Sequence, residues 1–159
     1  MLHFHPTRRF KRLSQVLSLF LVFLLSFTGC DKVDDNGDFG GFWRLEDASA
    51  PESVHAVLPA PHSLTWGVRC EVIQVRRLFG ATDEKSGAIY YFTFVRTSDV
   101  LQLAEAFRSD GSHDFPVSFS ELPEDMAIPD DGRLLIRKIS RSTLIVEGKD
   151  SVVMRFRKL

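Results

Sequence analysis

The sequence predicts an all-β domain, a sandwich or barrel of about seven or eight antiparallel strands, behind a signal and a short tether. From Gly41 onward, apolar residues recur in short runs separated by turn chemistry at roughly 8–12-residue spacing. No long stretch carries the 3.6-residue period of a helix. The last three runs alternate cleanly and are joined by short turns, which is the pattern of an antiparallel meander.

The chain opens with Arg8, Arg9, Lys11 and Arg12 and no acidic residue, then an apolar run from Leu13 to Phe27 broken only by Ser14, Gln15, Ser18 and Ser26. Fifteen residues are short for a membrane span, which needs about 20, and suit the apolar region of a cleavable signal. Phe27-Thr28-Gly29-Cys30 resembles the lipobox of bacterial lipoproteins, although Phe27 stands where that family favours a branched aliphatic residue. The resemblance implies cleavage between Gly29 and Cys30, lipidation of the Cys30 sulfur, and a mature protein held at a membrane. One acyl chain anchors a protein only marginally, whereas two or more hold it durably.

Residues 1–29 are thus expected to be removed. Residues 30–40 read as an acidic, flexible tether, with Asp31, Asp34, Asp35 and Asp38 beside Gly37 and Gly40 and no apolar periodicity. Carboxylates this close to the cysteine resemble the export signal of surface lipoproteins in the Bacteroidetes. The expected location is the cell envelope, anchored to the outer membrane, with surface display implied by that resemblance.

Residues 41–159 form the predicted domain. The signal holds four of the 20 basic residues and none of the 21 acidic ones, so the mature chain carries 16 against 21, a net charge of −5. That balance argues against a nucleic-acid partner. The chain has two cysteines, and modification of Cys30 leaves no pair of thiols for a disulfide. Cys70, placed in phase with Val68 and Val72, is expected to be a small buried apolar residue.

The first strand covers Phe42 to Glu46, and the Pro- and Ala-rich stretch from Asp47 to Trp66 reads as a loop with at most a short strand. Arg69 to Phe79 reads as one strand whose alternation shifts at Ile73 and Val75, the signature of a bulge. A turn follows at 82–87. Ala88 to Thr97 is apolar on both faces, and Leu101, Leu103 and Phe107 are expected on one face of the next strand. Ser109 to Ser112 is a turn, and Phe115 to Phe119 a further pairing segment. The meander places Leu134 and Ile136, then Leu144 and Val146, then Val152, Met154 and Phe156 inward, with Gly148 expected to make a tight hairpin.

Gly41-Phe42-Trp43, opening the first strand just after the tether, matches the Gly-x-Trp signature of lipocalins and the wider calycin group. With the terminal Met154-Arg155-Phe156-Arg157-Lys158, the chain resembles the small lipocalin-like lipoproteins of Bacteroidetes over roughly residues 27–159. The resemblance selects a small up-and-down β-barrel of about eight strands. It implies that Trp43 plugs the narrow end, that Gly41 lets the backbone pass close by, and that Arg155 or Arg157 stacks over the indole, a contact worth about 0.5–2 kcal/mol.

Residues for chemistry are sparse. His55, His62 and His113 lie in loop-like segments without metal-ligand spacing, and Asp34, Asn36 and Asp38 lack the glycine and final carboxylate of a calcium loop. Glu121, Glu124, Asp125, Asp130 and Asp131 read as a solvated acidic loop, so no catalytic residue, metal or cofactor is assigned. Arg133, Arg137, Arg155 and Arg157 are expected to form an outward basic stripe. The function expected is a non-catalytic binding module for a small apolar ligand or a surface partner. The other reading is an accessory or inhibitory lipoprotein with a solid barrel, since the strand phenylalanines nearly fill a small interior.

Overall fold

The computed structural model describes residues 36–78 and 88–159. The signal, the Gly29-Cys30 site, the tether as far as Asp35, Phe79 and the turn at 82–87 lie outside the described residues.

The described residues contain nine antiparallel strands: β1 (Gly41–Ser49), β2 (Leu64–Arg69), β3 (Val72–Arg77), β4 (Ile89–Arg96), β5 (Val100–Ser109), β6 (Asp114–Pro116), β7 (Arg133–Ile139), β8 (Thr143–Glu147) and β9 (Val153–Lys158). Eight close into a barrel in the order β1-β2-β3-β4-β5-β7-β8-β9, with β9 returning to β1. Closure removes the unpaired edges that an open sheet exposes. The ninth strand, β6, shares one edge of β5 with β7. Val100 to Gln102 pair with β7, and Phe107 to Ser109 pair with β6.

The terminal meander forms as expected, with Leu134, Leu144, Val146, Met154 and Phe156 buried. Val152 is buried just before β9 begins. The glycine at 148 has a different role from the one expected. Its φ is −121°, and the connection is a one-turn 3-10 segment, Lys149–Ser151, in which Asp150 and Ser151 have positive φ. A Cβ at Gly148 would collide with the Ala127 carbonyl oxygen, so close approach is what requires glycine there.

Arg69 to Phe79 is not one bulged strand. Arg69 pairs with Val72, and Cys70 and Glu71 turn the chain between β2 and β3. The shift in alternation at Ile73 is therefore a reversal of direction. Cys70 sits exposed at φ +51°, not buried between Val68 and Val72. Reading from sequence missed the turn because Cys-Glu has none of the usual turn residues. Bulges occur elsewhere. One between Thr93 and Phe94 changes the register against β5, so Leu101, Leu103 and Ala106 point inward and Phe107 does not. Another, between Leu45 and Asp47, lets β1 continue to Ser49.

Large side chains crowd the described part of the interior. Trp43, Trp66, Tyr90, Phe92, Phe156 and Met126 are among the largest side chains that are essentially inaccessible. Each such side chain contributes roughly 1.5–3 kcal/mol by leaving water. The Tyr90/Phe92/Phe94 face of β4 supplies the core, while Ile89, Tyr91 and Val95 face outward.

Candidate functional site

At the end where β1 begins and β9 finishes, the narrow end by the Gly-x-Trp resemblance, the 3-10 turn Gly37–Phe39 places Phe39 beneath the barrel, fully buried, with Phe94 edge-on at 5.5 Å. Trp43 donates from Nε1 to the Phe39 carbonyl at 2.8 Å, which ties the plug to β1. Gly41, at φ +112°, passes close to Lys158, where a Cβ would stand 2.9 Å from Cε. The cation over the Trp43 ring is Lys158, with Nζ 5.0 Å from the centroid, and neither Arg155 nor Arg157. Parity explains this. Lys158 pairs directly with Trp43 and shares the inward face of Met154 and Phe156, whereas the two arginines alternate outward. Lys158 Nζ also donates to the Asp38 carbonyl at 3.1 Å.

The outward arginines do not form an unopposed basic stripe. Arg155 lies 3.4 Å from Asp47, Arg157 3.7 Å from Glu46, and Arg137 donates from Nε to Glu147 at 2.8 Å. Acidic residues of neighbouring strands thus face most of the row. Exposed pairs of this kind contribute about 0–1 kcal/mol.

The wide end is closed by the long β6–β7 connection. Leu122, Met126, Ala127 and Ile128 turn into the core, and Lys149 donates its backbone N–H to the Ala127 carbonyl. Under this segment Arg77, nearly buried at the end of β3, donates to Asp125 Oδ2 at 2.7 Å. Arg77 keeps the inward parity of Ile73 and Val75, so a cation on an inward position was the signal available in the sequence.

The acidic loop residues have separate structural tasks. Glu121 accepts from the Ser118 N–H in a capping box, Asp131 accepts from the Arg133 N–H, and Asp130 lies 3.4 Å from Lys149. His62 Nδ1 lies 3.1 Å from the Leu45 carbonyl, His113 lies beside Phe115, and His55 is at the wide rim. Among the described residues no group of three or more His, Cys, Asp or Glu side chains is placed to hold a metal ion.

Among the described residues, two surface concavities stand out. A pocket of about 120 Å³ at the wide rim is lined by His55, Val57, Glu124, Lys149 and Asp150. A shallow, mainly apolar groove of about 400 Å³ runs down the outside of β1 to β4, past Phe42, Gly67, Val72, Gln74 and Tyr91. The Phe42 ring lies over Gly67, and Gln74 donates to the Tyr91 hydroxyl at 3.1 Å.

A closed antiparallel barrel with a tryptophan on its first strand and a 3-10 plug beneath it defines a lipocalin-like protein. The chain belongs to the lipocalin-like domain family, whose model matches residues 24–159. Two solved structures are similar. One is a lipocalin-like protein from Bacteroides uniformis, with a TM-score of 0.49 and 15% identity over 77% of this chain and 100% of that one. The other is an uncharacterized protein from Bacteroides eggerthii, with a TM-score of 0.45 and 11% identity over 76% of this chain and 98% of that one. No curated protein matches the chain.

Proposed function

We propose that this protein is a lipid-anchored, non-catalytic binding module that works through the outside of its barrel. In this reading the signal over 1–29 is removed, Cys30 carries the lipid, and the residues up to Asp35 tether the barrel to the outer membrane of the cell envelope. The tether expected over 30–40 is shortened because Asn36 and the Gly37–Phe39 turn are packed into the domain. The observation that carries the mode of binding is the row of large side chains buried inside the barrel. Trp66, Tyr90, Phe92, Phe156 and Met126 occupy the space in which a barrel of this size would hold a ligand. Binding energy then has to come from the rim and the outer walls, where the concavities lie. The expected partner is a protein or another surface component of the envelope.

Native mass spectrometry of the mature protein extracted from its own host tests both parts. The expected result is a lipid-bearing mass that shifts to the bare polypeptide in Cys30→Ala, with no other small molecule retained. A stoichiometric apolar adduct that survives in Cys30→Ala would favour the small-ligand carrier. A mature chain without lipid mass would remove the anchor.

A further inference from the structure

We propose that the narrow end of the barrel is a lipid-contacting surface that sets the protein's orientation on the bilayer. The proposal rests on the anchor at Cys30 put forward above. Phe42 is 60% exposed, Val95 66%, Leu159 68% and Val72 39%. Strand order β4-β3-β2-β1-β9 places them in one arc around this rim. Val72 pairs with Thr93, two residues before Val95, and the Leu159 N–H donates to the Phe42 carbonyl at 2.9 Å.

The tether leaves from the same arc. Asn36 is buried and donates from Nδ2 to the Cys70 carbonyl at 2.6 Å, in the turn between Arg69 and Val72. Six residue steps separate Asn36 from Cys30, a reach of roughly 20 Å at full extension. Among the described residues, the other large exposed apolar side chains, Val57, Leu58, Leu78 and Phe115, belong to the opposite end. That end lies about 25 Å along a tilted nine-residue strand, beyond the reach of the tether.

Charge at this end is mixed. Exposed Arg69, Arg96 and Arg141 stand among Glu71, Asp99 and Asp38, with Lys158 partly covered. Apolar contact therefore carries the docking, and salt leaves it intact. A weak surface suffices, because the tether holds it at high local concentration beside the bilayer.

Cys70 is the natural reporter, since it is exposed on this arc and alkylation of Cys30 leaves it the one thiol in the mature chain. The lipidated protein is reconstituted in phosphatidylethanolamine–phosphatidylglycerol vesicles and labelled at Cys70 with a fluorophore. A nitroxide carried on the lipid headgroup is expected to quench this label at least threefold more than a label at the far end in Cys70→Ala/Ser151→Cys. The difference persists in 0.5 M salt and collapses in Phe42→Ser/Val95→Ser/Leu159→Ser, which still floats with the vesicles. Equal quenching of the two labels in protein that floats overturns the docking surface and leaves the anchor standing. Two labels per chain and no flotation overturn the anchor, and the docking proposal with it.

Discussion

Trp43 and Trp66 face each other across β1 and β2 as a register pair, both buried, yet only one of the two indole N–H groups is matched. Trp43 donates to the Phe39 carbonyl, while Trp66 Nε1 meets no acceptor among the described residues and instead packs against Phe156, 4.6 Å between ring centres. A buried polar group without a partner costs about 1–3 kcal/mol. The same residue type thus has opposite polar balance at adjacent positions.

Phenylalanine should separate them. Trp43→Phe orphans the Phe39 carbonyl and loosens the plug, and a loss of about 2–4 kcal/mol is expected in urea unfolding. Trp66→Phe leaves a void of the same size but also removes the unmatched N–H, which offsets much of the cavity cost, so its net change should stay within about 1 kcal/mol. Equal losses at the two positions would show that volume alone matters in this core.

Gly148→Ala is expected to destabilise the protein by about 1–3 kcal/mol, because the new methyl meets the Ala127 carbonyl and forces the lid segment away. The informative control is Gly111→Ala, where no atom lies within 4 Å but φ is +89°. There the cost is backbone strain alone, about 1–2 kcal/mol. Amide exchange tells them apart, since Gly148→Ala should expose the Lys149 N–H bonded to Ala127 and Gly111→Ala should not.

Alternation made the strands and most of the core readable from sequence, because the period of two survives wherever a barrel wall has one wet face. It was lost where the chain broke phase. The Cys70-Glu71 reversal lacks turn chemistry and resembles a bulge, and the real bulge, at Ala104 in β5, moves Phe107 off the inward face. The narrow-end plug was legible through Gly41 and Trp43, and counting parity from Phe156 would have chosen Lys158 over the two arginines. The Arg77–Asp125 pair spans 48 residues, and no local pattern links two such positions.

Asp110 offers a prediction about acid. Its Oδ1 accepts the backbone N–H groups of Ser112 and His113, both at 2.8 Å, and these hold the carboxyl below the usual 3.8, most strongly the bond from His113. A depressed folded-state value stabilises the fold above the unfolded value, and that stability is lost as pH falls through the folded value. Stability should therefore decline below about pH 4, and Asp110→Asn should flatten that part of the decline. Carboxyl titration by NMR would contradict this if Asp110 titrated at or above 3.8.

The Arg77–Asp125 pair should behave as a latch whose value lies in its completeness. The Arg77 side chain is 6% exposed and that of Asp125 22%, so removing Asp125 takes one charged hydrogen-bond partner from a largely buried guanidinium. Asp125→Ala is expected to cost about 1.5–3 kcal/mol, the range of a hydrogen bond to a charged group. It should also make the segment around Met126, which the pair helps hold over the barrel, cleavable by protease under native conditions. Replacing both residues by apolar ones, Arg77→Met/Asp125→Leu, removes both charges and should recover most of the loss, because a buried ion pair is often no better than a well-packed apolar substitute. Stability and protection should return together. Recovered stability with continued cleavage at Met126 would mean that the core needs the volume at these positions, while the segment is held by the Lys149–Ala127 bond and not by the ion pair.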